Sequence, residues 1–382
     1  MERKIRILHI TQAVGGGVER YMQMLLKYLD SDVYENYLLL SDEADIGVYE
    51  QYTRRIAQID MRREIGIHDV FAIGQVRKWI RKINPDILYA HSSKAGAIVR
   101  LANLGIHKTC IYNAHGWAFH IQGSLRKQRI YTWVEKLLAP LCDKIICISE
   151  SEKQAAITRG VGREAQLRVI VNGIDISAYE QQRGLPDREI YKIPVDAFVV
   201  GMVGRLCEAK APDVFVRAAK IIKERIPNAC FVMVGNGELE QEVRRLTAEL
   251  SLSDSLLMTG WVENPMAYIH CFDVAMLLSR WEGFGLAIAE YMLAGKPIVA
   301  SNVCAIGELI RHGENGLQVP VDDPIAAADA VCSFFSDPGL GESLTKGNYR
   351  LVREKYDVCR VAEEHDRLFR ELLCVRGKLE KE

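Results

Sequence analysis

Two stretches carry residues whose types and spacing suit chemistry on a charged, hydroxyl-rich ligand. The first is WEGFGLAIAE, residues 281–290, with Glu282 and Glu290 eight positions apart around Gly283-Phe284-Gly285 and an apolar run. Paired glycines suit a tight corner, and the apolar run suits a buried helix starting at Leu286 or Ala287. Such a helix start presents unpaired N–H groups and the positive end of the helix dipole. An acid in a first helical turn is also a mild stabiliser, so Glu290 has a plain structural explanation. Glu282, in an apolar and glycine-turned corner, has none. The second stretch is GRLCEAKAP, residues 204–212, where Arg205 and Lys210 lie five apart. A planar guanidinium fork beside a mobile ammonium suits a diphosphate, each charge-assisted bond contributing ~1.5–3 kcal/mol. A solvated basic loop is the plain alternative.

Together these groups suit a nucleotide diphosphate-sugar: backbone N–H groups for phosphate, one carboxylate for the sugar hydroxyls and the other for ribose. Three weaker glycine turns accompany them. VGGGVER (14–20) offers Gly16 and Gly17, VGNGE (234–238) offers Gly235 and Asn236, and TGWV (259–262) ends in Trp261 and Val262. The first lacks both GxGxxG and GK[ST] spacing, which disfavours a dinucleotide dehydrogenase and a P-loop. It reads either as a tight turn or as a loop that lets phosphate or sugar approach the backbone.

The elements that must position these residues are short apolar runs alternating with helical segments. IRILHIT (5–11), PDILYAH (85–91), TCIYNAH (109–115), KIICIS (144–149) and LRVIVNG (167–173) form one series. FVVGMVGRL (198–206), ACFVMVGNG (229–237), SLLMTGWV (255–262), DVAMLL (273–278), KPIVASN (296–302) and GLQVPV (316–321) form another. Buried strands alternating with helices indicate parallel sheets covered on both faces. The polar stretch 175–197, with two prolines, interrupts the rhythm and suits a linker. The expected division is a Rossmann-like domain over 1–178, a second over 179–355, and a helix over 356–382 packing back on the first. Two such domains would face an interdomain cleft, an architecture for joining two substrates.

Composition narrows the class. The chain has 382 residues, 49% hydrophobic and 26% charged, as in a soluble globular protein. Its ten cysteines form no CxxC pair, which suits reduced, mostly buried thiols. The start, MERKIRILHITQ, reads as a first strand rather than an export signal, and no run of 18 apolar residues suggests a membrane span. Residues 1–178 hold 25 Lys+Arg against 19 Asp+Glu, a net of +6, and residues 179–382 hold 24 against 31, a net of −7. A basic half suits an anionic partner: membrane surface, phosphate-bearing substrate or nucleic acid. Nucleic acid is disfavoured by the absence of any zinc finger, RNP signature or base-reading basic helix.

EGFGLAIAE, with Arg205, Lys210, VNGID (171–175) and SNVCAIGELI…GENGLQVP, resembles the retaining nucleotide-sugar glycosyltransferases of the two-Rossmann GT-B architecture, glycosyltransferase family 4. The resemblance covers nearly the whole chain. It implies that Glu282 contacts the donor sugar and that Phe284, Gly285 and Leu286 line the sugar and phosphate pocket beside Gly283. Glu290 would bind ribose, and Arg205 and Lys210 would clamp the diphosphate. Gly16 and Gly17 would approach donor and acceptor, and His115, in NAHGWAFH, would sit beside the reacting sugar. No metal cofactor is implied, the clamp and helix end doing the electrostatic work. Two departures stand out: Lys210-Ala211-Pro212 where the family often has Lys-Gly, and Cys304 and Ala305 where glycines are common.

HSSKAGAIVRLANL (91–104) and AHGWAFH (114–120) are similar to members that build bacterial capsule, exopolysaccharide or glycan intermediates on undecaprenyl diphosphate. The implied donor is a UDP-sugar, and the acceptor a lipid-linked or soluble glycan contacted by Lys94, His115 and Arg126. SLRKQRIYTWVEKLLAPL (124–141) reads either as a basic, aromatic-bearing helix lying on a membrane or as an ordinary helix packing its apolar face on the sheet. The expected location is cytoplasmic, peripheral at the inner face of the membrane in the first of those two readings. Two competing functions share the scaffold: a nucleotide-sugar epimerase, which needs no acceptor, and a non-catalytic nucleotide-sugar binder.

Overall fold

The computed structural model describes residues 3–13, 15–62, 64–120, 124–181 and 188–377, without the side chains of His120 and Cys304. Val14 of the 14–20 turn, residues 182–187 of the linker, residues 378–382 of the tail and the Cys304 side chain therefore lie outside the described residues. The chain divides into two compact units, Met1–Gly173 with Val358–Glu382, and Ile174–Asp357.

The first unit is built on β1 (Ile5–Thr11), β2 (Tyr34–Ser41), β3 (Arg55–Ile59), β4 (Ile87–His91), β5 (Thr109–Asn113), β6 (Lys144–Cys147) and β7 (Leu167–Val169). They form one parallel sheet in the order β3-β2-β1-β4-β5-β6-β7. The strands read as near-continuous apolar runs because helices cover both faces: Ile7, Leu8 and Ile10 of β1 and Ile87, Leu88 and Ala90 of β4 are fully buried. The strand order reverses between β1 and β4, the switch point at which open parallel sheets bind ligands beyond their carboxyl ends. The last helix, Val358–Val375, belongs to this unit. It buries Val361, Leu368, Phe369, Leu372 and Leu373 in the same cluster as Tyr21, Leu25 and Leu26 of the helix Gly16–Tyr28. Each such side chain contributes roughly 1.5–3 kcal/mol of burial, and Tyr34 Oη adds a hydrogen bond to Asp366 at 2.6 Å.

The second unit repeats the plan with β8 (Phe198–Val203), β9 (Ala229–Val234), β10 (Leu256–Gly260), β11 (Val274–Leu277), β12 (Ile298–Ser301) and β13 (Leu317–Val319). Their order is β10-β9-β8-β11-β12-β13, all parallel, with the reversal between β8 and β11. Within the expected linker, Arg188 anchors the entry to this unit, donating to the carbonyls of Val195, Ala197 and Cys271 and to Asp273. The nine cysteines with described side chains are free thiols, and no helix among the described residues is long and apolar enough to cross a membrane.

The helix Leu125–Leu138 leaves most of its apolar stripe uncovered. Its one buried residue is Glu135, while Leu125, Ile130, Trp133 and Leu137 are exposed. Those four apolar residues are therefore not packed on the sheet. Tyr131 packs against the core cluster, and Glu135 adds a buried polar anchor: Arg100 Nη2 meets Glu135 Oε2 at 2.9 Å, and Tyr112 Oη donates to Glu135 Oε1 at 2.7 Å.

Two glycines test the packing. A Cβ on Gly201, in β8, would lie 2.2–2.4 Å from the ring of Phe272, whereas a Cβ on Gly74, in the helix His68–Ile83, meets nothing within 4 Å. Urea unfolding is expected to show Gly201→Ala destabilised by ~1–3 kcal/mol through overpacking. Gly74→Ala is expected to gain ~0.5–1 kcal/mol from helix propensity.

Candidate functional site

In the second unit the carboxyl end of β11 leads through Ser279 and Arg280 into the glycine corner, and the helix begins at Leu286, with Gly285 as its N-cap at φ 90°. An L side chain rarely adopts that φ, so the glycine is required for the turn itself. Glu282 is held on two sides: Ser279 Oγ donates to its Oε1 at 2.9 Å, and Lys210 Nζ forms an ion pair with the same oxygen. Lys210 arrives from the loop after β8, so the pair spans the two strands where the sheet order reverses.

That loop is strapped in place by Arg280, a residue that the sequence did not single out. Its guanidinium binds Asp213 at 2.7 Å, Asp322 at 2.7 Å and the carbonyl of Glu208 at 3.1 Å, and its backbone N–H reaches the carbonyl of Ala209. The backbone and side chain of one residue thus join the Glu282 corner to the Lys210 loop. The only available signal was position, a charged residue two places before Glu282. Ala211 completes the loop at φ 48°, which is why a glycine is the easier residue after the lysine; alanine there carries roughly 1–2 kcal/mol of left-handed strain.

The other expected donor residues fall into three groups. Arg205 lies on the same loop, half-exposed and paired to Glu238 at 3.0 Å, an ion pair cheap to exchange for phosphate. Gly235 and Asn236 form the turn after β9 and brace that loop: Leu206 N–H donates to the Asn236 carbonyl at 2.9 Å, and a Cβ on Gly235 would lie 2.1 Å from the Gly204 carbonyl oxygen. Trp261 is exposed and Val262 half-buried beyond β10. The Phe284 side chain is 5% exposed and packs edge-on against Tyr356, so it can offer a ligand its backbone but not its ring. Glu290 is 1% exposed and accepts a hydrogen bond from Tyr179 Oη, another residue that sequence reasoning passed over.

In the first unit the turn after β1 holds Gly15 and Gly16 at φ 71° and 70°, with open space where a Cβ would be. Gly16 and Gly17 open the helix Gly16–Tyr28, whose N-cap Gly15 donates its N–H to Glu19 at 3.2 Å. Positive φ with nothing packed above is a backbone left accessible, not one tightened for packing. One turn further on, Tyr21 sets its ring 4.6 Å from that of His115. His115 follows β5, half-buried at φ 53°, with Nε2 3.1 Å from His91 Nδ1. Lys94 does not stand open for an acceptor phosphate. It binds Asp69 at 2.6 Å and the Glu64 carbonyl at 2.6 Å, so its charge is already compensated. Arg126 is exposed at the start of the helix Leu125–Leu138.

Behind His115 lies a buried polar cluster. His365 Nδ1–H donates to the Val361 carbonyl at 2.7 Å, so its Nε2 is an acceptor for Tyr21 and Tyr89, both 2.9 Å away. Burial is the main cause that pushes the histidines down, His9 and His365 to about 4 and His115 to about 3, with His91 also well below its ordinary value. All four rings are neutral at physiological pH. Among the described residues no group of three or more His, Cys, Asp or Glu is arranged to hold a metal ion.

Two doubly wound parallel sheets in tandem, each with its polar groups gathered at the switch point, define the two-Rossmann GT-B class. The family comparison is consistent with this. The model of glycosyltransferase family 4 matches residues 15–178, and the model of glycosyl transferases group 1 matches residues 186–351. The chain belongs to these glycosyltransferases and is a transferase enzyme. It is 28% identical over 346 residues to an Escherichia coli UDP-Gal:α-D-GlcNAc-diphosphoundecaprenol α-1,3-galactosyltransferase, covering 88% of this chain and 89% of that one. It is 23% identical to the capsular polysaccharide biosynthesis glycosyltransferase CapM of Staphylococcus aureus, covering 92% and 94%. Among solved structures, Anabaena HepE in complex with UDP superposes with a TM-score of 0.80 at 20% identity, covering 96% of this chain and 100% of that one. Sucrose-phosphate synthase from Thermosynechococcus elongatus gives 0.83 at 21% identity, covering 97% and 100%.

The neutral histidines give the fold a pH signature. Each is free to take a proton near pH 6.5 once unfolded, but only near pH 4 or below when folded. The unfolded state then binds more protons, so stability is complete above pH 6.5 and declines as pH falls from there toward 4. Each ring contributes a slope approaching about 1.4 kcal/mol per pH unit. Urea midpoints at pH 7, 6 and 5 are expected to fall steadily, and His365→Gln is expected to show a shallower decline than the unmodified chain.

Proposed function

We propose that this enzyme is a retaining glycosyltransferase that moves a hexose or N-acetylhexosamine from a UDP-sugar to a hydroxyl of a polyprenyl-diphosphate-linked glycan, in the assembly of a bacterial surface polysaccharide. The observation that carries the reading is the Lys210–Glu282 contact at the switch point of the second sheet, strapped by Arg280. The E. coli relative, named for a nucleotide-sugar donor and a diphosphoundecaprenol acceptor, supports the substrate classes.

The residues divide the task. Lys210 has N–H groups beyond the one facing Glu282, and with Arg205 it meets the diphosphate as negative charge builds on the departing oxygen. The N–H groups at Gly285 and Leu286 add the helix end to that clamp. Glu282, fixed by Ser279 and Lys210, holds sugar hydroxyls and is not a general base. Glu290 takes ribose, whose hydroxyl replaces that of Tyr179. The bond from the anomeric carbon to the β-phosphate oxygen breaks as the bond to the acceptor oxygen forms on the same face. The acceptor's proton passes to the departing phosphate oxygen. The fixed positive groups carry the electrostatic load, so no metal is required.

The acceptor end rests on the first unit. Gly16 and Gly17 offer accessible backbone, His115 faces the reacting sugar, and Arg126 meets acceptor phosphate. The helix Leu125–Leu138 displays Leu125, Ile130, Trp133 and Leu137 alongside Arg126, Lys127, Arg129 and Lys136, a surface suited to the anionic inner face of a membrane.

The test is a thermal-shift panel of nucleotide sugars, followed by turnover with lipid-linked acceptors and analysis of the product anomer. A stabilising UDP-sugar and acceptor-dependent, configuration-retaining transfer are expected. Sugar isomerisation without an acceptor would place the enzyme among epimerases instead. Lys210→Ala and Glu282→Ala are expected to lower kcat by at least about a hundredfold in a protein that still folds, and a fully active Glu282→Ala enzyme would overturn the assignment. Trp133→Asp with Leu137→Asp is expected to abolish co-sedimentation with anionic vesicles while leaving transfer to a soluble acceptor intact.

A further inference from the structure

Four polar side chains cross the first sheet on a diagonal. Asn36 lies on β2 opposite Ile7 of β1, and His9 is two residues further along β1. His9 lies opposite Tyr89 of β4, and His91 is two residues beyond that. His91 lies opposite Asn113 of β5, and His115 is two residues beyond that. Each step is one strand across and two residues toward the carboxyl edge. A strand alternates faces with period two, so Asn36, His9 and His91 emerge on one side of the sheet, and His115, past the end of β5, joins them through its contact with His91. Strand spacing and rise put successive positions roughly 8 Å apart, within the reach of long or aromatic side chains.

The side chains close those gaps. His9 Nε2 is 3.3 Å from Asn36 Oδ1, His91 Nε2 is 3.2 Å from His9 Nδ1, and His115 Nε2 is 3.1 Å from His91 Nδ1. Neighbouring rings are tilted by only 14° and 24°, with centroids 5.5 and 5.4 Å apart, so the contacts run edge to edge as hydrogen bonds. Asn36 is 5% exposed and His9 and His91 are fully buried, so the line climbs from the core to half-buried His115.

The direction of the bonds follows from its lower end. An amide oxygen can only accept, so His9 carries its proton on Nε2 and its Nδ1 is a lone pair. That lone pair requires Nε2–H on His91, which in turn leaves His91 Nδ1 bare and requires Nε2–H on His115. We propose that Asn36, His9 and His91 are positioning residues that hold His115 in its Nε2–H tautomer, so that His115 Nδ1 is presented bare, as an acceptor for a substrate hydroxyl. The line does not conduct protons. A proton entering at His115 would have to leave at Asn36, and an amide oxygen is not a base at ordinary pH. Nor does it hold charge easily, since a second proton on any inner ring would set two N–H groups head to head. The marked lowering of all three histidines agrees with that.

The consequence for catalysis rests on the transferase reading of His115, but the tautomer itself does not, and the experiment separates the two. The 382-residue chain is labelled with 15N in its imidazole rings, and long-range 1H–15N correlations are assigned by replacing one histidine at a time with glutamine. Protonated Nε2 and bare Nδ1 are expected at His9, His91 and His115. A proton on His115 Nδ1, or shifts averaged between tautomers, would overturn the proposal. Asn36→Leu removes the lower acceptor at nearly constant volume. It is expected to release the lock, so that His115 shows mixed tautomers and kcat falls roughly tenfold with KM for the nucleotide sugar unchanged. A folded Asn36→Leu protein with the His115 tautomer still fixed would also overturn it. Release of the tautomer with kcat unchanged would instead uphold the lock and remove His115 from the reacting sugar.

Discussion

A parallel sheet covered on both faces has no solvent side, and that constraint governs where this chain can keep polar chemistry. Every interior strand position is either apolar or must find a partner inside the protein, because a buried polar group without one costs several kcal/mol. Charged groups are therefore driven to the carboxyl ends of the strands, where helix N-termini offer compensating donors. The second unit follows this closely: β8 and β11 are apolar throughout, and Arg205, Lys210 and Glu282 all lie beyond their ends. The reversal of strand order then decides which two ends meet.

Once Lys210 and Glu282 meet there, the difficulty becomes holding two long side chains in one arrangement. A lysine has rotamer entropy to lose, and an exposed lysine–carboxylate pair contributes little by itself. Here the carboxylate side chain is only 8% exposed, and both partners are fixed through their neighbours: Glu282 by Ser279, and the Lys210 loop by Arg280 and by the turn at Gly235. Removing Arg280 would leave Asp213 and Asp322 facing the same gap without their shared cation. The strap is thus part of the local charge balance as well as a mechanical link.

The parts of this arrangement legible in the sequence are those written locally. Short apolar runs mark every strand but β2 and β3, whose YENYLLLS and RIAQI mix polar residues into the run, Gly283 and Gly285 mark the corner, and the helix starts at Leu286 as the run of apolar residues suggests. What was not legible depends on register and on which face of an element turns inward. Arg280 looks like any loop cation until the fold brings Asp213, 67 residues away in sequence, to its side. Lys94 looks like a free cation until the helix His68–Ile83 brings Asp69 to it. The histidines were visible as polar residues inside apolar strands, at His9 in IRILHIT and His91 in ILYAH. That they share one face and one diagonal follows only from the pairing of β1 with β4 and β4 with β5, and His365 joins them from the far end of the chain.

The helix Leu125–Leu138 shows how one buried polar contact orients a helix whose hydropathy pattern alone does not. Its sequence carries an apolar stripe and a basic stripe, and either a sheet or a membrane could cover the first. Arg100 sits fully buried on the helix Ser93–Ala102, stacked on Tyr112, with Nε bound to the Gly96 carbonyl at 2.8 Å. A buried guanidinium requires a carboxylate, and Glu135 is the residue of the neighbouring helix that supplies it. Turning Glu135 inward turns Ile130, Trp133 and Leu137 outward, since they lie five, two and two positions away on a helix of 3.6 residues per turn. Removing either partner of the buried pair would therefore do more than cost stability. It would leave Tyr131, packed against the core, to hold the helix's rotation and the orientation of the exposed apolar face.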